Sequence, residues 1–223
     1  MGSRMKTVAI MQPCFIPYAG YFRLFPATDL FIVYDCVQFP RRGVIHRNRL
    51  PNHVHEEKWL TLPILKCGRS TLIKDLEFSV DAKTRMEKQI PRFPTLENSN
   101  TEHSEMIHRL TNFSMQPVDY IVSLLEHICR ILGLPFYTKK SSDFRIPSEI
   151  TGQDRIIEIL KLVGASDYVN APGGKHLYSV NTFSENGIGL RFLKPYDGSF
   201  WSILHRVLTE NPEEISYEIM KQI

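Results

Sequence analysis

Apolar residues near the start of the chain fall into short runs separated by prolines and polar turns. Residues 6–11 (KTVAIM) form an apolar run closed by Pro13, which predicts a short buried strand. Residues 18–26 (YAGYFRLFP) space large apolar groups as a helix does, with Pro17 near the start, where a missing N–H costs little. Residues 29–35 (DLFIVYD) are rich in β-branched and aromatic groups and predict a second buried strand. Strand, helix and strand in this order predict a βαβ unit in a parallel sheet.

Further along, the pattern changes. Residues 40–50 (PRRGVIHRNRL) are basic and turn-rich, and 59–65 predict a third strand. Residues 72–78 read as a further strand or edge, and 81–89 as a short helix of mixed charge. Two prolines and many small polar groups mark 91–104 as a mobile loop or linker. Pro117 opens a long helix that stops at Gly133 and Pro135. Residues 136–139 read as a strand, and Thr151 starts a helix that ends at Gly164. Thr151 and Asp154 suggest a variant capping box there. A strand and glycine-rich turn over 166–178, a strand over 188–192, and helices over 201–208 and 212–220 complete the pattern. The expectation is an α/β fold, with a parallel-sheet N-terminal βαβ core and mainly helical middle and C-terminal parts. One domain spans 5–223, and residues 1–4 (MGSR) look like a cloning remnant.

Composition narrows the classes. Lys+Arg 27 against Asp+Glu 24 gives a net charge of only +3, which argues against a general nucleic-acid-coating role. Cys14, Cys36, Cys67 and Cys129 are widely spaced and form no C-x-x-C pair, so reduced thiols in the cytoplasm are expected. No apolar run approaches the roughly 18–20 residues that span a bilayer. The start lacks the pattern of a signal peptide. Neither His53 with His55 nor His103 with His108 has a third ligand in view, so no metal site is expected.

Four segments are candidates for chemistry. In open parallel sheets, ligands sit beyond the carboxyl ends of strands. That places Gln12, Tyr18 and Gly20 of the first turn at a crevice, unless the turn is a rigid core feature. Asp35 and Gln38, after the second strand, could face the same crevice, with Asp35 as general base or as a turn cap. The cluster Arg41, Arg42, His46, Arg47, Asn48 and Arg49 suits phosphate oxygens or is a solvated loop. Gly173, Gly174 and Lys175 could fold around an anion, although their spacing is not that of a P-loop. Cys14 would need an adjacent base to act as a nucleophile.

These segments resemble the WbqC-like family. The family pattern places a Q-P, then P-Y/W-x-G-Y-F, an Asp before an apolar strand, an Asp and Gln after it, and R-N-R. This chain has Gln12, Pro13, Pro17, Tyr18, Gly20, Tyr21, Phe22, Asp29, Asp35, Gln38, Arg47, Asn48 and Arg49 at those places. GASDYVNAPGGKHLY and SFWSILHRVLTENPEEI resemble later family segments, although His205 and Arg206 stand where the family often has Asp and Leu.

The resemblance implies an enzyme of bacterial surface-polysaccharide loci, such as those for O-antigen. It would transfer an acyl or aminoacyl group to a nucleotide-linked amino sugar. On that reading Asp35, Gln12 and Tyr18 surround the reacting groups, with Asp35 as base. Gly20, Gln38, Arg42, Arg47, Asn48, Arg49, Gly173, Gly174 and Lys175 then hold the substrate. The partner implied is a nucleotide sugar, without nucleic acid or membrane span, and with homodimerisation allowed. A looser likeness to pantothenate-synthetase-type ligases leaves an ATP- and magnesium-dependent nucleotidyl-transferring or adenylate-forming ligase as an alternative. Their H-x-G-H histidine pair is missing here. A sugar-nucleotide-binding protein without chemistry is the third reading.

Overall fold

A computed structural model describes residues 6–97 and 101–223, with backbone alone for 101–103. The 1–4 leader and residues 98–100 of the 91–104 segment lie outside the described residues. The first strand, β1 (Thr7–Met11), pairs in parallel with β2 (Leu30–Val33), in the register Val8 to Leu30 and Met11 to Val33. Between them α1 covers only Ala19–Phe22. It is shorter than the apolar spacing predicts, because the chain tightens into i→i+3 turns, with the Leu24 N–H donating to Tyr21 and that of Phe25 to Phe22. Arg23, buried there, donates to the carbonyls of Gly20, Lys194 and Gln222.

The basic segment is not merely a turn. β3 (Arg47–Pro51) and β4 (Glu57–Thr61) form an antiparallel hairpin. Residues 72–78 give a 3-10 turn over Ile73–Asp75, flanked by isolated bridges from Gln38 to Leu72 and from Ile64 to Phe78. Then come α2 (Ala82–Glu87), α3 (Thr101–Thr111) and α4 (Pro117–Ile131). The linker expected over 91–104 carries 3-10 turns at Ile90–Arg92 and Pro94–Leu96 and the start of α3. Phe93 and Leu96 are buried, and Thr95 meets the His205 Nδ1 at 3.0 Å, so this part of the segment is anchored to the core.

The remaining elements are β5 (Thr138–Lys140), α5 (Gly152–Leu162), β6 (Asp167–Asn170), α6 (Val180–Glu185), β7 (Gly189–Phe192), α7 (Ile203–Thr209) and α8 (Pro212–Met220). The five-stranded sheet runs β5-β2-β1-β6-β7, and every pairing in it is parallel. The fold is α/β, as the alternation of elements predicts.

Strand alternation divides the core. Ala9, Phe31, Val33 and Val169 pack with α4, α7 and α8, whereas Val8, Ile10, Leu30, Ile32 and Tyr168 pack with Ile156, Ile157 and Leu160 of α5 and Phe183 of α6. Both faces of the central strands β1 and β2 are covered, which is why these two read as continuous apolar runs, whereas β5, β6 and β7 carry polar residues. No helix of the described residues is long and apolar enough to cross a membrane.

Candidate functional site

The strand order reverses between β1 and β6. After β1 the chain moves to β2 and β5 on one side, and after β6 to β7 on the other. Such a reversal leaves a crevice beyond the carboxyl ends of the two strands. A cavity of about 540 Å³ opens there. Its walls are Met11 and Gln12 at the end of β1, Tyr34 and Val37 after β2, Gly152 and Gln153 of α5, and Asn170, Ala171, Gly173, Gly174, Leu177 and Tyr178 from the end of β6 onward.

The polar groups of this cavity are uncharged. Asn170 is buried, and its Oδ1 accepts from the Ala171 N–H at 2.7 Å. Its Nδ2 packs against Gly174, where a Cβ would come within 2.7 Å. Gly174 is thus needed for the Asn170 amide to fit. Neither the Asn170 Nδ2 nor the Gln12 side chain has a hydrogen-bond partner among the described residues. The Gln12 backbone carbonyl instead accepts from the Tyr21 hydroxyl at 3.0 Å. Burial pushes the Tyr34 hydroxyl up to about 12, with the Arg155 guanidinium pulling the other way, so Tyr34 is a neutral donor at physiological pH. Tyr178 stands 3.5 Å from the Tyr168 hydroxyl, which donates to the Ile10 carbonyl.

A second chamber of about 420 Å³ shares Tyr34, Val37 and Gly152 with the first. Cys36, Gln38, Lys74, Ser148, Thr151 and Arg155 contribute its polar lining. Among the described residues no group of three His, Cys, Asp or Glu side chains is placed to hold a metal ion.

Several residues expected at the crevice stand elsewhere. The Asp35 carboxylate is buried behind the end of β2, on neither chamber wall. Its Oδ1 accepts from the Ser141 hydroxyl at 2.7 Å and the Ser142 N–H at 2.9 Å, and its Oδ2 from the Ser142 hydroxyl at 2.6 Å. The Ser141 hydroxyl oxygen accepts in turn from the backbone N–H groups of Asp35 and Cys36. This clamp fastens β2 to the turn after β5. Tyr18 packs in tilted contacts against Tyr196 and Phe200, at 5.4 and 5.0 Å between ring centroids. Gly20 leaves room for those rings rather than for a ligand, because a Cβ would reach within 2.3 Å of the Tyr18 ring.

The R-N-R segment is likewise a packing device. Arg47 and Arg49 lie over the Trp59 ring at 4.2 and 4.7 Å, and Arg49 pairs with Glu57. Two guanidinium groups against one indole ring are a cation–π arrangement. Arg42 lines a separate surface groove, and its carbonyl accepts from the Arg47 Nη2. Asn48 points inward. Its Nδ2 donates to the Ile16 carbonyl at 2.6 Å and to the Phe15 carbonyl at 3.3 Å. The Ser202 hydroxyl, which caps α7, donates to the same Ile16 carbonyl at 2.7 Å.

Ile16 has a φ of 41° and is fully buried. A β-branched residue in this region stores on the order of 1–3 kcal/mol of strain and needs its surroundings to hold it there. The first turn, R-N-R and the aromatic-serine-leucine helix therefore meet in one structural knot. Lys175 is exposed and outside both chamber walls. Cys14 packs in the same turn, and burial pushes its thiol up to about 12, which leaves it protonated at neutral pH.

Of the expected residues, Gln12, Gly173 and Gly174 share the main cavity, and Gln38 the second chamber. Asn170, Tyr34, Tyr178, Lys74 and Arg155 were not singled out by the sequence reading. The rule that selects Gln12, a polar residue just after a parallel strand, also fits Asn170 and Tyr34.

The fold and crevice define a parallel α/β protein with a ligand-sized chamber at its switch point. The model of the WbqC-like protein family matches residues 12–205, and the chain belongs to that family. It is also 28% identical over 212 residues to the uncharacterized protein Rv1507c of Mycobacterium tuberculosis, covering 87% of this chain and 84% of the relative. No solved structure matches the chain.

Proposed function

We propose that the switch-point cavity binds a nucleotide-activated sugar and that the protein is an enzyme of bacterial surface-polysaccharide biosynthesis, transferring an acyl or aminoacyl group to a nucleotide-linked amino sugar. The observation that carries this reading is a switch-point cavity whose walls combine apolar side chains with amides and tyrosines and, among the described residues, hold no charged side chain. Such walls suit the hydroxyls, amides and ring faces of a nucleoside or sugar.

The same lining limits the chemistry. With Asp35 clamped elsewhere, no carboxylate or histidine of the described residues lines the cavity to act as base. The acceptor amine attacks the acyl carbonyl in its free-base form and passes a proton to solvent. The leaving group departs with the electron pair of the broken acyl bond. Gln12 and Asn170 supply amide N–H donors to the oxyanion that forms, a contribution worth roughly 3 kcal/mol per donor in preorganised sites. The Tyr34 hydroxyl is a third donor.

Thermal unfolding with UDP-, GDP- and dTDP-sugars, against ATP with magnesium, tests the reading. A ligand at 100 times its Kd stabilises by about 2.7 kcal/mol, which at this chain length is on the order of 5–10 °C. The expected result is a shift of that size with one class of nucleotide sugar. Stabilisation by ATP with magnesium alone would favour the ligase alternative, and no shift with any nucleotide sugar contradicts the reading.

A further inference from the structure

We infer that the second chamber is an anion subsite for a phosphate or diphosphate group, formed by Arg155, Lys74 and the N-terminal turn of α5. The inference deepens the reading above and rests on it only for the nucleotide to which the phosphate belongs.

The geometry begins with the helix. α5 is 11 residues long and starts at Gly152, which lies on the walls of both chambers. The first N–H groups of a helix have no intrahelical acceptor. A side-chain cap is the usual remedy, and the sequence suggests one in Thr151 and Asp154. The structure shows none, because the Thr151 side chain makes no cap hydrogen bond and Asp154 is exposed outside the chamber lining. Gly152 holds a φ of +56°, which suits glycine.

Arg155 is the second, independent observation. It is 7% exposed and forms part of the chamber wall. Its Nη1 donates to the carbonyls of Pro147 and Ile150 at 3.0 and 3.2 Å, while its Nε has no acceptor. No carboxylate pairs with it among the described residues. A buried guanidinium without a counter-charge is costly, and an arriving anion removes that cost. Lys74, exposed at the rim, adds a second cation without a carboxylate partner among the described residues. Among the described residues no acidic side chain lines the chamber, and Glu149, next in the chain to Ser148, accepts from the Ser148 hydroxyl. Two cations and a free helix N-terminus favour a phosphoryl oxyanion. Of the basic residues that the sequence nominates for this task, Arg47 and Arg49 lie over Trp59, and Arg42 and Lys175 line neither chamber.

Two sources share this chemistry: the diphosphate of a bound nucleotide, and a separate phosphate or pyrophosphate. Calorimetric titration of the full chain with pyrophosphate, with UDP and with uridine separates them. The variants are Lys74→Gln, at an exposed position that leaves the fold alone, and Arg155→Lys. Pyrophosphate is expected to bind the wild type and to weaken roughly tenfold in Lys74→Gln, about 1.4 kcal/mol, with a larger loss in Arg155→Lys. Tighter binding of UDP than of uridine, lost in the same variants, assigns the site to the nucleotide's own diphosphate. Pyrophosphate binding without that gain assigns it to a separate phosphate. Uridine binding alone overturns the subsite and leaves the cavity reading standing. Lys74-dependent pyrophosphate binding without any nucleoside or nucleotide-sugar binding supports the subsite and sinks the nucleotide-sugar reading. Equal pyrophosphate affinity in wild type and Lys74→Gln overturns the inference.

Discussion

The knot at the first turn and the crevice beyond β1 and β6 use similar polar residues to opposite ends. In the knot, Asn48 and Ser202 both donate to the Ile16 carbonyl. Behind β2, Asp35 is engaged by Ser141 and Ser142. Among the described residues, the Asn170 Nδ2 and the Gln12 amide in the crevice, and the Arg155 Nε beside the adjoining chamber, lack protein partners. Hydrogen-bonding capacity spent inside the protein stabilises it, and capacity left over is available to a ligand. The segments that look most distinctive in the sequence fall mainly on the first side of this divide.

The largest expected effect tests the structural side. Arg206 is buried and bonded to Glu210, Glu218 and Tyr196. Burial opposes its charge, but the hydrogen bonds to Glu210 and Glu218 outweigh it and raise its pKa. Arg206→Met is expected to destabilise by about 3 kcal/mol, at the low end for a broken buried pair because both glutamates are partly exposed. Chemical denaturation measures the loss, and ligand affinity per folded molecule should be unchanged. Asn48→Ala comes next. It strips a donor from two backbone carbonyls and relaxes the hold on Ile16, at roughly 2 kcal/mol.

A smaller effect concerns pH. His46, His127 and His205 have pKa values held below the usual 6.5, chiefly by burial. Beside His46 the Arg47 charge acts in the same direction, as do Arg109 and Arg130 beside His127. The unfolded chain therefore binds protons more readily than the folded one. The stability these groups contribute is present above about pH 6.5 and is lost as pH falls through their folded values. His205→Gln should flatten the decline between pH 7 and 5, read from urea midpoints. An unchanged slope would remove His205 from this account.

Much of the sheet is legible in the sequence. β1 and β2 announce themselves as apolar runs because both of their faces are covered. The hairpin is less visible, since Arg47 and Arg49 read as a charge run until Trp59 is known to lie beneath them. Asp35 follows a strand as a catalytic carboxylate would, but its partner Ser141 lies 106 residues away in the chain. Spacing cannot reveal that contact. Arg155 sits within an apolar helical pattern and attracts no notice, although burial without a counter-charge is what makes it informative.

The most direct measurement compares two asparagines. Asn170→Asp keeps the acceptor that holds the Ala171 N–H and exchanges the free donor for a carboxylate oxygen. Asn48→Ala disturbs only the knot. Calorimetric affinity for the stabilising nucleotide sugar, measured beside thermal unfolding, gives both readouts. The expected result is that folded Asn170→Asp loses binding by roughly tenfold or more, beside the fall in Tm that a buried carboxylate brings, whereas Asn48→Ala falls several degrees in Tm and binds normally per folded molecule. Full binding by Asn170→Asp, with binding abolished in folded Asn48→Ala, would contradict the division and return the functional site to the first turn and its basic hairpin.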